Sequence, residues 1–90
     1  MGDIDDLIAV FCRIRDPEQM RRFLDEIFTR SERRDLALRW KLMQMLREGV
    51  TQRKIAAELH VSLCKITRGA KILKDPESVS VKMLEQEDHE

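Results

Sequence analysis

Ninety residues, 38% of them charged and only 4% aromatic, amount to one small domain that cannot bury a large core by itself. The net charge of zero excludes a uniformly basic or acidic chain but hides an asymmetry: residues 1–50 balance ten positive against ten negative charges, residues 51–74 carry +5, and residues 75–90 carry −5. No apolar run is long enough to cross a membrane, no signal-peptide pattern opens the chain, and no carboxylate pair, metal cluster, nucleophile motif or phosphate loop supports an enzyme.

Helical periodicity without runs of β-branched residues predicts an all-α fold of six helices in a single domain, 1–90. The first helix, about 3–14, puts Ile4, Leu7, Ile8, Phe11 and Ile14 on one stripe. Asp16-Pro17-Glu18-Gln19 starts the second: Asp16 caps, Pro17 suits the first helical position, and Gln19 can reach back. Its stripe is Met20, Phe23, Leu24, Ile27 and Phe28. Ser31-Glu32 opens a third helix that runs to about Gly49, with Leu36, Trp40, Met43, Met45 and Leu46 inward. Leu38 and Leu42 widen that face beyond an ordinary stripe, so the helix is expected to be covered on a second side by another subunit.

Residues 51–74 read as two short helices joined by a tight turn. Thr51 caps the first, whose inward residues are Ile55, Ala56 and Leu59, and Ser62 caps the second. The second helix has Leu63, Ile66 or Thr67, Ala70 and Leu73 as inward positions. The turn, Leu59-His60-Val61, has His60 where a left-handed backbone would favour Gly. Arg53, Lys54, Lys65, Arg68, Lys71 and Lys74 stand against Glu58 alone, and a basic helix-turn-helix is the footprint of a reader of duplex DNA. Asp75-Pro76 breaks the chain and starts a sixth helix, with Val79, Val81, Met83 and Leu84 apolar before an acidic, frayed end. Cys12 and Cys64 lack metal-ligand spacing and are expected to be free thiols in a reducing cytoplasm, and His60 and His89 to be structural or solvated.

The stretch from Phe28 to Lys74 resembles the tryptophan repressor family. The motifs that carry the resemblance are FTRSERRDLALRW, LREG and TQRKIAAELHVSLCKITRGAKILK, above all Ile66-Thr67-Arg68-Gly69 followed by Leu73-Lys74. The resemblance implies an intertwined all-helical homodimer that represses transcription from a palindromic operator when L-tryptophan is bound as co-repressor. It needs no other cofactor and no metal. A related DNA-binding regulator without a tryptophan switch is the alternative. By resemblance, the indole lies between the guanidinium planes of Arg39 and Arg68, a geometry that suits stacking on a π face. Arg68 also holds the carboxylate, the hydroxyl of Thr29 helps from the partner chain, and Gly69 leaves the floor bare for the ring. Backbone carbonyls near Glu26–Phe28, at the negative end of the second helix, take the ammonium. Family members often carry small polar residues after the glycine, whereas here Ala70, Lys71 and Ile72 follow.

For DNA, the helix beginning at Ser62 is expected to enter the major groove amino-end first. Leu63 and Cys64 then meet base edges at its tip, and Thr67 reaches a base directly or through water. Arg53 is the expected bidentate partner of guanine, and Gln52, Lys54 and Lys65 are expected to grip phosphates.

Overall fold

The computed structural model describes residues 3–88, so that His89 and Glu90 lie outside it. Six helices follow in chain order: α1 (Ile4–Arg13), α2 (Pro17–Ile27), α3 (Arg30–Arg47), α4 (Gln52–Leu59), α5 (Leu63–Leu73) and α6 (Val79–Glu87). The fold is all-α. The chain forms two compact units, one up to Asp35 and one from Leu36 onward.

In the first unit the capping chemistry sets the helix starts. The Asp3 carboxylate accepts the Asp5 N–H, and the Asp16 carboxylate accepts the Gln19 N–H with Pro17 in the first turn. The reciprocal capping box forms elsewhere, at the start of α3. There Thr29 N–H donates to Glu32 Oε1 at 2.8 Å and Glu32 N–H donates to Thr29 Oγ1 at 3.1 Å. The third helix therefore begins at Arg30, one residue before the expected Ser31, because Thr29 can cap as well as Ser31 and has a Glu three residues on. Phe11 and Phe23 meet edge to face at 5.7 Å, the arrangement that ring quadrupoles favour. No described residue of this unit is buried, and Ile4, Ile8 and Ile27 remain exposed.

The second unit holds the core. Leu42, Met43 and Met45 of α3, Ile55 of α4, Ile66 of α5 and Leu84 of α6 are buried together, and Trp40, Leu46, Leu59 and Leu73 pack around them. The end of α3 is a Schellman motif. Gly49 adopts φ +87°, its N–H reaches the Leu46 carbonyl, and the Val50 N–H reaches the Met45 carbonyl. Thr51 and Ser62 cap α4 and α5 through the N–H groups of Lys54 and Lys65, as their positions imply. Between the two helices His60 sits at φ 55°, ψ 41°, in the left-handed region.

Further expectations change. Ile66, fully buried, is the inward residue of α5 and Thr67 is exposed; Leu63 also points outward, at 60% exposure. The sixth helix starts at Val79 and not at Asp75-Pro76. Pro76 keeps Asp75 out of the helical region, the Asp75 carboxylate takes the Glu77 N–H in a turn, and Ser78 then caps by accepting the Val81 N–H. Finally, the acidic end of α6 is tied to α3 as far as Asp88. Glu87 and Asp88 are tied to Trp40, Gln44 and Arg47 of α3. No local pattern in the sequence pairs these acids, because their partners lie some forty residues upstream.

Candidate ligand pocket and reading face

One side of α5 and the middle of α3 enclose a pocket of about 520 Å³, with Ser80 of α6 at its margin. Its lining is apolar at Leu36, Trp40, Leu42, Met43 and Ile72, and cationic at Arg39, Lys65 and Arg68. The helical repeat explains the convergence. Lys65, Arg68, Gly69 and Ile72 stand at i, i+3, i+4 and i+7, so they share one face of α5. None of the three cations is in an ion pair among the described residues. The pocket therefore offers apolar walls together with positive charge that no carboxylate among the described residues pairs, which suits a planar apolar molecule bearing an anionic group.

Gly69 is buried, and its lack of a side chain serves the packing of α5 on α3. A Cβ there would come within 2.8 Å of Leu42 Cδ1 and 3.1 Å of both Leu46 Cδ1 and Met43 Sδ. The close helix approach at Gly69 brings the adjacent Arg68 to the same pocket as Arg39. Of the residues expected at the ligand, Arg39, Arg68 and Gly69 are thus brought together. Thr29 belongs to the first unit, where its hydroxyl oxygen is occupied as the cap of α3. The carbonyl expected to take an ammonium at Phe28 accepts from Arg33 Nη1, as does that of Asp25, and Arg33 Nε also pairs with Asp25 Oδ1 at 3.2 Å. Arg33 thereby satisfies the end of α2, where the helix dipole is negative.

The residues expected to read DNA all lie on exposed positions: Gln52, Arg53 and Lys54 in the first turn of α4, and Leu63, Cys64, Lys65 and Thr67 in the first half of α5. Lys54 lies 3.9 Å from Glu58 one turn on, a weak exposed pair that leaves it free to move. Lys65 belongs to both places, since it is exposed and also lines the pocket. Its i, i+3 spacing to Arg68 was the available signal for the pocket role. Trp40 and Ser80 were missed as pocket residues: Trp40 was assigned to the core, and nothing local in the sequence ties Ser80 to α5.

A model of the Trp repressor protein family matches residues 3–88 of the chain, which is its whole described length. The chain belongs to the Trp repressor family. Curated relatives agree. A Trp operon repressor homolog of Xylella fastidiosa (strain M23) is 40% identical over 70 residues, covering 77% of this chain and 76% of the relative. A Trp operon repressor homolog of Chlamydia trachomatis serovar D is 42% identical over 66 residues, covering 66% and 70%. One from Chlamydia caviae is 37% identical over 70 residues, covering 77% and 69%. No solved structure is a significant match. Trp repressors are transcription regulators, so this member is a regulator and not an enzyme. Among the described residues, no helix is long and apolar enough to cross a membrane.

Proposed function

We propose that this Trp repressor family member is a cytoplasmic DNA-binding repressor that acts as a homodimer and takes L-tryptophan as its co-repressor. The observation that carries the reading is the placement of Arg39 and Arg68 in one apolar pocket on the inner face of the helix whose outer face presents Leu63, Cys64 and Thr67. A ligand wedged there sets the angle of α5, and with it the presentation of the reading face. Two guanidinium planes stack on an indole, and a guanidinium fork binds its carboxylate. The +5 charge of residues 51–74 supplies the phosphate attraction on which affinity for duplex DNA rests. The dimer is supported by the first unit's lack of any buried described residue and by the exposure of Ile4, Ile8, Ile27 and Leu36, apolar area that a partner chain would cover.

Calorimetry with L-tryptophan on the purified protein, followed by operator titration with and without it, tests this reading. Linkage requires ligand and operator to strengthen each other by the same factor. A silent calorimeter together with ligand-independent operator binding would replace it by the second reading, a regulator of the same fold without a tryptophan switch. Ile72 favours that alternative, because it lends the pocket a branched apolar wall in place of a small polar group.

A further inference from the structure

Trp40, Gln44 and Arg47 stand at i, i+4 and i+7 on α3 and form a stripe that meets the last turn of α6. Trp40 Nε1 donates to Glu87 Oε2 at 3.0 Å, and Gln44 Nε2 donates to Glu87 Oε1 at 3.1 Å. One turn further along, Arg47 donates through Nε and Nη2 to Asp88 Oδ2, at 2.9 and 2.7 Å. The Trp40 ring is at the same time a wall of the pocket that Arg39 and Arg68 line, whereas Glu87 does not touch that pocket. A side-chain indole has several staggered orientations in general, of which packing against the core excludes some. A carboxylate that accepts from its one N–H selects among them, and the bond is charge-assisted. Both oxygens of that carboxylate are engaged, so the selector is itself held.

We infer that Glu87 is a positioning residue of the ligand pocket: its carboxylate fixes the Trp40 ring as a wall, and by this contact α6 sets how tightly the pocket grips a flat aromatic amino acid. The inference rests on the reading of that pocket as the ligand site. In this chain Trp40 is the one tryptophan, which makes the wall directly observable.

The test uses the full chain as wild type, Glu87→Ala, Glu87→Gln, Trp40→Phe and the double variant Trp40→Phe/Glu87→Ala. Trp40 emission and acrylamide quenching are recorded without ligand, and L-tryptophan binding is followed by calorimetry. Glu87→Ala should shift the emission to the red, open the ring to quencher and weaken L-tryptophan binding about five- to tenfold, the effect of losing one charge-assisted bond. Glu87→Gln should fall between wild type and Glu87→Ala, because its one amide oxygen can still accept from the indole, though without the charge, while its amide nitrogen cannot accept from Gln44. Trp40→Phe keeps an aromatic wall without the N–H, so it should reproduce the weaker binding even if Glu87→Ala proves too unstable to assay. Adding Glu87→Ala to Trp40→Phe should then change nothing more. Unchanged L-tryptophan affinity in both single variants overturns the positioning role alone, as does an equal loss from Glu87→Ala with and without Trp40. A wild type that shows no L-tryptophan binding overturns the ligand-site reading and the positioning role with it.

Discussion

Thr29 and Glu32 cap each other, each side chain accepting the other's backbone N–H at the start of α3. The Thr29 hydroxyl accepts in that bond, so its own hydrogen stays available to a carboxylate; capping and ligand contact are compatible in one side chain. The two roles separate by mutation. Thr29→Asp keeps a cap but replaces the donor with a negative charge, so the melting temperature should hold while L-tryptophan affinity falls at least tenfold. Thr29→Ala should lose both, with about 1 kcal/mol of stability going with the cap. Chemical denaturation and calorimetry on the same preparations separate the outcomes, and a ligand affinity indifferent to Thr29→Asp would remove Thr29 from the site.

The shared position of Lys65 makes its substitution informative. Arg53→Ala should cost about 1–3 kcal/mol on the preferred operator and relax preference at one base pair, as expected for a bidentate contact with guanine. Lys65→Ala should weaken specific and random DNA alike and reduce the salt slope by about one unit. Because Lys65 also lines the pocket, the same variant should lower L-tryptophan affinity, which Arg53→Ala should leave alone. Equal losses on operator and random DNA for both variants would show that Arg53 positions the protein and reads no base.

Arg68→Leu tests the switch. The side chain is exposed and lies outside the core, so the thermal transition should remain cooperative and near wild type. The ligand response should vanish, with operator affinity the same at zero and millimolar L-tryptophan. A retained response in this variant would move the carboxylate contact to Arg39 or Lys65.

His60 carries a positive φ that most side chains occupy at a cost. Replacement by Gly should stabilise the helix pair by up to about 1 kcal/mol, offset in part by the extra freedom of the unfolded chain. In a domain of this size that corresponds to a rise in Tm of roughly 4–8 °C. A fall in Tm would mean that the imidazole contributes a contact worth more than the backbone relief.

Assembly is measurable directly. Sedimentation at micromolar concentration should give the dimer mass, and Ile8→Asp together with Ile27→Asp should either drive the chain to monomer or unfold it. Two reading helices would then stand about 34 Å apart, one turn of DNA, the spacing general to dimeric helix-turn-helix proteins. A stable wild-type monomer would leave the exposed apolar side chains of the first unit without cover.

The helix starts at Thr51 and Ser62, the left-handed His60 and the apolar face of α3 from Trp40 to Leu46 were legible in the sequence because each is decided within one or two turns of chain, whereas Leu36, expected inward, is 48% exposed. Thr29 was harder: Thr29 and Ser31 both suit a cap, and only the Glu three residues after Thr29 separates them. The start of α6 depended on whether Asp75 would cap a helix or close a turn, and Ser78 settled it by offering a second cap. Arg39, Arg68 and Gly69 were found by family motif, not by spacing, since two surface arginines in a chain this rich in arginine are otherwise unremarked. The links from Trp40 to Glu87 and from Arg47 to Asp88 span more than forty residues, and no local rule pairs a surface carboxylate with one partner among many cations.

The eleven residues of α5 leave almost no idle circumference. Ile66 and Leu73 face the core, Lys65, Arg68 and Ile72 face the pocket, and Leu63, Cys64, Thr67 and Lys71 face outward, each set spanning roughly a third of the turn. Gly69 sits on the border of the first two sets and belongs to both. A lineage of such proteins can therefore drift toward a new DNA sequence through positions 63, 64 and 67 without disturbing the interior. It can drift toward a new effector through 65 and 72. Position 69 is narrower than either route, because even a Cβ there meets the side-chain ends of Leu42, Leu46 and Met43, which must first give way.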